Sequence, residues 1–442
     1  MSTTSTAPPG MKMSRVAKVT TGLLFVTWLI DYFDRLIMTI ALPHVGATFH
    51  LNHAEQGLII SAFFFAYAFS QLPGGILADR FGTRYMIAAA MIIWSLFTGL
   101  TAVAWGFAAM LVIRALFGIG EGIFPGASIK AITERTTPRE RMLANGVMLS
   151  SNNFGAAVAP LVAVPLVAAI GWRFSFGVSA IAGLVMLVIL LIWLPRNRPQ
   201  LDTQVLPETP KPQPAQEEAG RTKRRVWAVL ASPAIYLYVV MFFGLDIIGW
   251  SINTWMPSYL SEARGLSTSG SAILLAIPPV VGGLATVVGG RLADRLGGRP
   301  RLVVAPAMLV GGVALLMMAL SQSLTAFMIA ECIGIGCFGL SFMPVMSVPL
   351  KTLNGRFTGS ASGTINFGGQ MAGVLAPVVM GFLVDKFSYT AAFMFPVAGA
   401  ALTLVMAIVV PQTPQRLAER LRRNPDLEGG FADQVEVSPV GP

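Results

Sequence analysis

Seven ionisable residues stand inside long apolar stretches of this chain: Asp31, Asp34, Arg35, Arg114, Glu121, Asp246 and Glu331. A charge in such surroundings is costly, so each position is a candidate for work that needs it. Asp31, Asp34 and Arg35 follow an i, i+3, i+4 spacing and share one helix face. Arg114 and Glu121 are seven apart and share another, about 10 Å apart along the axis. Arginine scarcely loses its proton and presents a planar fork that fits a carboxylate, so two of them in a poorly solvated space form a fixed anion-binding charge. A buried carboxyl differs, because one that is protonated towards one side and ionised towards the other carries a proton. The competing reading is that these charges only pair into neutral bridges between helices, which is a poor reason to keep four of them in lipid. Uncharged polar groups in the same stretches, Tyr32, Tyr67, Gln71, Asn152, Asn153, Asn366 and Gln370, can meet hydroxyls and carbonyls of a ligand or bond from helix to helix.

The elements that must position these residues are legible from composition. Of 442 residues, 54% are hydrophobic and 12% charged, about half the charge of a soluble domain. Apolar runs of about 20 residues recur throughout, the length that crosses a bilayer. They predict an all-α polytopic membrane protein with twelve spans. Six lie at 17–43, 55–77, 85–105, 107–128, 142–169 and 172–194, and six at 233–260, 270–290, 301–320, 324–349, 359–384 and 389–410. The expected organisation is an N-terminal tail (1–16), a six-helix bundle (17–194), a linker (195–232), a second six-helix bundle (233–410) and a C-terminal tail (411–442). The linker is rich in proline and charge and cannot bury a core. No cleavable signal is expected, since the first apolar run is too long. Only Arg173, Arg264 and Lys386 fall on one side of the membrane, and the remaining loop Lys and Arg fall on the other. That bias places both termini in the cytoplasm and accounts for the net charge of +10 without nucleic acid.

The two halves repeat each other. GGILADRFGTR at 74–84 returns as GGRLADRLGGR at 289–299, in both cases in the short loop after the second span of a half. Ala144-Asn-Gly146 with Pro160 is echoed by Ala361-Ser-Gly363 with Pro377, and GIG at 118–120 by GIG at 334–336. Two six-span halves in the same orientation describe a pseudo-two-fold axis along the membrane normal. In the repeated loops Gly82 and Gly297 permit a sharp reversal, while Gly75, Gly74, Gly289 and Gly290 let helices approach. Asp79 and Asp294 are expected to pair with arginines across the turn (Arg80 and Arg84, Arg295 and Arg299) or to cap a neighbouring helix, making a latch at the domain interface. The repeat also aligns Asp31 with Asp246 and Arg114 with Glu331, so these acids are candidates for a second proton site or for repelling anions.

At these motifs the sequence resembles the major facilitator superfamily, marked by D-R-x-G-x-R between its second and third helices. Within it the chain looks like the anion:cation symporter family, on Tyr32, Asp34 and Arg35 in YFDR, on Arg114, Gly118, Glu121 and Pro125 in RALFGIGEGIFPG, and on Gly363, Asn366 and Gln370 in GTINFGGQ. The resemblance covers roughly 17–410. It implies the two-bundle fold, alternating access, Asp34 and Glu121 as protonation sites, and Arg35 and Arg114 at the anion. Tyr32 and Tyr67 match tyrosines of sugar-acid transporters. Asn152 stands where those have glutamine and Gln370 where they have asparagine, which leaves the substrate open.

The expected function is therefore proton-coupled uptake of a small organic anion such as a hexonate or hexarate, across a bacterial-type inner membrane, by a monomer without cofactor or metal. An aromatic carboxylate is a rival substrate, given Phe63, Phe64, Phe65, Phe154 and Trp255. Proton-driven export of drugs or metabolites is a further alternative, although the fifth span carries asparagines where an exporter is expected to be rich in proline and glycine. A phosphate loop, a metal cluster and a nucleophile–base pair are all missing, so an enzyme or an ATP-driven pump is not expected. Cys332 and Cys337 read as packing. His44, His50 and His53 read as a solvated loop, and TPQRLAERLRR as a short amphipathic helix on the inner leaflet.

Overall fold

The computed structural model describes residues 13–195, 231–297, 299–353 and 355–422. The expected linker lies mostly outside these, as do most of the N-terminal tail and the end of the C-terminal one. The described residues are helices joined by tight connections. They are α1 (Arg15–Phe49), α2 (His53–Phe81), α3 (Thr83–Ala102), α4 (Phe107–Arg135), α5 (Pro138–Trp193), α6 (Pro233–Ser258) with a π-helical turn (Tyr259–Ala263), α7 (Thr268–Arg295), α8 (Pro300–Leu320), α9 (Leu324–Thr352), α10 (Gly355–Lys386), α11 (Tyr389–Ala392), α12 (Met394–Val409) and α13 (Pro414–Arg422). α5 holds the fifth and sixth spans, which meet at Gly171 with φ of 77°. The short α11 opens the twelfth span and α12 completes it.

Local chemistry accounts for the ends of these helices. Ser14 accepts the N–H of Ala17 at the start of α1. Asn52 and Glu55 form a reciprocal capping box on α2, and Thr137 and Glu140 form another on α5. Gly82 (φ 87°) and Gly297 (φ 67°) sit in the left-handed region at the turns of the two repeated loops, a conformation that favours a residue without Cβ.

Glycine also sets the closest helix contacts, in parallel ways in the two halves. α2 packs on α4, and a Cβ on Gly122 would stand 2.6 Å from the carbonyl oxygen of Tyr67. α7 packs on α9, where Gly339 lies against the backbone of Gly282. The halves meet through α2 against α10, α5 against α7, and α1 against α6. At the end of the molecule away from the termini this contact is backbone to backbone, with Gly57 on Pro377 and Gly381 on His53.

Two sequence expectations change here. Asp79 and Asp294 pair with lysines of their own halves and not with arginines: Lys130 Nζ lies 2.6 Å from Asp79 Oδ1, and Lys351 Nζ lies 3.0 Å from Asp294 Oδ1. Both carboxylates remain largely exposed, and among the described residues no hydrogen bond or ion pair from the repeated loops crosses between halves. The lysine at the end of α4 or α9 stands beside the second helix of its own bundle, closer than any arginine of the turn. Arg84 instead donates to the carbonyls of Leu191 and Leu194 at the end of α5, and Arg80 lies over the ring of Phe81. Arg295 and Arg299 flank the Gly297 turn.

The second change concerns the C-terminal helix. Leu417 and Leu421 of α13 are buried against α9 and α6 rather than facing lipid. Substituting either by alanine is expected to lower thermal stability in detergent by about 2 kcal/mol, the cost of a buried leucine. A helix lying on lipid would leave the melting transition unchanged in detergent.

Candidate functional site

Two acids of the first half, Glu121 and Asp31, converge on Arg35. Its Nη2 lies 2.7 Å from Oε2 of Glu121, its Nε donates to the same oxygen at 3.2 Å, and Asp31 Oδ2 is 3.5 Å away on the preceding turn of α1. The guanidinium also lies over three rings, at 4.7 Å from Tyr67, 5.2 Å from Phe63 and 5.6 Å from Tyr32. These rings arrive from α1 and α2, and the glycines of α4 let Tyr67 and Phe63 approach closely. A guanidinium packed between rings and paired with a carboxylate keeps its charge compensated after leaving water.

Asp34 faces another way. Its Oδ1 accepts from the Ser179 hydroxyl in the second arm of α5, while its Oδ2 is buried with no hydrogen-bond partner. Both oxygens of Asp31 and Oε1 of Glu121 are likewise buried without a hydrogen bond. Four of the six carboxyl oxygens of the cluster are thus buried without a hydrogen bond.

Arg114 is treated differently from Arg35. It is 2% exposed, donates to the Thr101 hydroxyl at 2.8 Å, and is held over the rings of Phe117 and Phe176 at 4.9 and 5.0 Å. Among the described residues no carboxylate lies within 4.0 Å of it, and its Nε is buried without a partner. The reading that the four charges close into two neutral bridges is thus not what forms, since one bridge exists and one cation stays open. Arg35 and Arg114 line the same narrow cavity, walled by Leu36, Met38, Thr39, Ile60, Phe63, Phe64, Phe117, Trp250 and Thr254.

The uncharged candidates separate. Tyr32 and Tyr67 stand at Arg35, and Gly155 packs against the Tyr32 ring. Asn366 of α10 donates to Gln71 of α2 at 3.4 Å, a polar contact across the halves. Oδ1 of Asn152 and Oε1 of Gln370 are buried and without partners, whereas Asn153 is exposed beside Gly283. Of the aromatic candidates, Phe63 and Phe64 reach the cavity. Phe65 and Phe154 are largely exposed, and Trp255 is buried away from it, donating to the Pro377 carbonyl.

The second-half acids do not join the cluster as ion pairs. Asp246 packs its carboxylate against Gly369, a position with no room for a side chain, and lies within electrostatic reach of Tyr32. Glu331 is 2% exposed with Oε2 unpartnered, and its electrostatic neighbour is Tyr259, towards the end away from the termini. Among the described residues there is no group of three or more side chains able to hold a metal ion.

Sequence reasoning missed Thr101, Ser179 and Phe176, which position Arg114 and Asp34. It also misread His53. His44 is within α1 and His50 caps it, but His53 opens α2 and contacts the other half, through residues too distant in sequence to signal the pairing.

The Major Facilitator Superfamily model matches residues 23–377. A probable sulfoacetate transporter of Cupriavidus necator is 31% identical, over 86% of this chain and 90% of that protein. The hexuronate transporter of Bacillus subtilis is 29% identical, over 87% and 92%. Among solved structures, an inward-facing, unoccupied bacterial homologue of the human lysosomal transporter Spinster superposes with a TM-score of 0.73 at 19% identity, covering 95% of this chain and 99% of that one. A D-xylose–proton symporter superposes with 0.74 at 15%, covering 89% and 98%. These two report the fold.

The dependence of Glu121 on Arg35 gives a direct check. Arg35→Ala leaves a buried acid unpaired and is expected to cost about 3 kcal/mol of stability. Adding Glu121→Gln should recover a large part of that loss, read as a double-mutant cycle of thermal melts. Additive losses would mean that the pair carries no charge.

Proposed function

The chain belongs to the Major Facilitator Superfamily, and from that premise we propose that it imports a small organic anion together with protons. A member of this superfamily is a transporter and not an enzyme. The relatives named above are described as carrying sulfoacetate and hexuronate, both of which are acids.

One observation carries the anion part of the reading. Arg114 is a buried cation facing a cavity with no carboxylate within ion-pair distance among the described residues. A guanidinium in that condition is stabilised by an arriving anion, and its fork fits a carboxylate in two parallel hydrogen bonds. Arg35 is already engaged by Glu121, so it becomes available when Glu121 takes a proton. Protonation of Glu121 and binding of the anion then favour each other, because the anion replaces the carboxylate at Arg35. Asp34, attached to Ser179 by one oxygen, is the second proton site. More than one proton per monoanion moves net charge inward, and a negative interior then adds about 2.3 kcal/mol per charge per 100 mV.

Tyr32 and Tyr67 beside Arg35, with Asn152, Asn366 and Gln370, supply polar groups of the kind that would suit the hydroxyls of a sugar acid such as a hexonate or hexarate. The aromatic walls support a second reading: Phe63, Phe64, Phe117 and Trp250 would suit an aromatic carboxylate once the closed cavity opens. In this proposal the transporter works as a monomer in a cytoplasmic membrane, with both termini inside, and rocks between two orientations of its halves.

The test is uptake into proteoliposomes of a labelled panel of sugar acids and aromatic acids under an inward proton gradient. One acid should accumulate. Asp34→Asn and Glu121→Gln are expected to abolish gradient-driven accumulation while substrate still exchanges at equal pH. Arg114→Ala should weaken binding by on the order of 100-fold, as for loss of a charge-assisted contact. Accumulation untouched by all three variants would remove this site from the mechanism.

A further inference from the structure

His53 is the first residue of α2, at the end of the molecule away from the termini, and its ring is enclosed by the second half. Nδ1 lies 2.7 Å from Oδ1 of Asp385 at the end of α10. Nε2 lies 2.8 Å from Oε2 of Glu262 in the π-helical turn after α6. The Tyr389 hydroxyl donates to that same Glu262 oxygen at 2.7 Å, and the His53 ring packs near Trp255 and Tyr389 at 5.6 and 5.8 Å. Asp385 also accepts the backbone N–H groups of His53 (3.0 Å) and Ala54 (2.8 Å). One carboxylate of the second half thereby satisfies the free donors at the start of a first-half helix.

Both ring nitrogens face carboxylate oxygens, and that decides the protonation state. Neutral imidazole has one N–H and cannot donate to both, whereas imidazolium has two. The full set of contacts therefore needs a proton that is held more tightly while the halves are together. We propose that His53 is a proton-binding site that bolts the two halves shut at this mouth, with Asp385 and Glu262 as the receiving carboxylates. The inference rests on the orientation and rocking motion proposed above, which make this mouth the extracellular one.

Other charged groups nearby are committed elsewhere. Glu55 on the same helix accepts from the Asn52 backbone. Arg264 is spent on the Tyr259 hydroxyl and the carbonyls of Ser321 and Gln322. Lys386 is exposed next to Asp385, His50 is exposed at the end of α1, and Glu331 reaches Tyr259 rather than the histidine.

His53, Glu262 and Asp385 stand at the outermost ends of their helices and keep side-chain exposures of 24%, 35% and 24%. The hydrogen bond to Glu262, with a further one to Asp385, holds His53 above its ordinary 6.5 despite partial burial. Burial pushes Glu262 and Asp385 up, but their hydrogen bonds outweigh it and hold both below the usual carboxylate range. A histidine with a raised value gives its full contribution to closure below pH 6.5 and loses it as pH rises through the raised value. The carboxylates give theirs above their ordinary values and lose it as pH falls through the depressed ones. The bolt is therefore firmest in mildly acidic medium. Since its proton enters and leaves on the same side, it adds nothing to the number of protons carried across.

The test reads opening of this mouth without transport. Thr254 is buried and lines the closed cavity. A Thr254→Cys reporter is placed in protein with Cys332→Ala and Cys337→Ala, in right-side-out vesicles. It is labelled from outside by an impermeant maleimide and normalised at each pH to a Gln322→Cys control on the exposed loop. Between pH 5.5 and 8.5 labelling should rise, by roughly tenfold for each unit by which closure tightens proton binding. In His53→Gln it should be high and flat, and in His53→Lys, whose charge is permanent, low and flat. Hydrogen exchange at amides 53 and 54, corrected for intrinsic rates, gives the same comparison between wild type and His53→Gln without a reporter cysteine. A pH response that persists in His53→Gln, or labelling that rises on acidification, overturns the proposal. A normal labelling profile in a protein that fails to accumulate any acid would instead remove the symport reading and leave the bolt standing.

Discussion

A guanidinium cannot shed its charge in hydrocarbon, and the structure around Arg35 is arranged to meet that constraint. Glu121 supplies the opposite charge, and Asp31 approaches on the same helix face. Three aromatic rings replace part of the lost hydration with their electron-rich faces. For those rings to arrive, α2 must run closer to α4 than side chains normally permit. The glycines at 118 and 122 remove the obstacle. Loss of a neighbouring glycine would thus reach the site through helix spacing, with no change to any charged residue. By the same reasoning Arg114, which has rings and a hydroxyl but no carboxylate within ion-pair distance among the described residues, is on the proposed reading the position most dependent on something from outside the protein.

Much of this was legible in the sequence, for identifiable reasons. A helix has a fixed period, so the shared face of Asp31, Asp34 and Arg35 follows from spacing alone. A bilayer has a fixed thickness, so the spans follow from apolar run lengths, and the repeated loops reveal the two-fold architecture. Lateral contacts are another matter. That Arg114 would lean on Thr101 and Phe176 depends on how α3 and α5 rotate against α4, and no spacing rule encodes rotation. The partner of Asp79 illustrates the same limit. Charge order within the loop suggested an arginine across the turn, but Lys130 on the adjacent helix is nearer. The C-terminal helix was rightly seen as amphipathic, yet periodicity cannot say whether its apolar face meets lipid or protein. His53 was missed because its partners lie more than 200 residues away in the chain.

The repeat is structural more than chemical. Close glycine contacts recur in both halves, as do the left-handed turns and the lysine-held aspartates. The ionisable pairs do not. The cations that line the cavity, Arg35 and Arg114, belong to the first half. The second half offers Asp246 and Glu331, without an ion-pair partner among the described residues. Divergence of this kind is expected where one half binds and the other closes over it, because the framework must match while the surfaces must be complementary.

That asymmetry bears on why protons should be needed at all. Asp246 of the second half stands within electrostatic reach of Tyr32, whose ring lies at Arg35. If Asp31, Asp34 and Glu121 were all ionised, the cluster would already hold three acids against two arginines. An added anion would raise the repulsion with Asp246 further. Closure around a bound anion then works against its own electrostatics unless acids are neutralised first. On the proposed reading the central protons thus do more than accompany the substrate, because they remove the repulsion that would keep the loaded halves apart. At the far mouth the signs are reversed, since His53 of the first half, once protonated, is drawn to Glu262 and Asp385 of the second. On these two proposals acid acts at both places in the direction of closure, in the centre by removing negative charge and at the far mouth by adding positive charge.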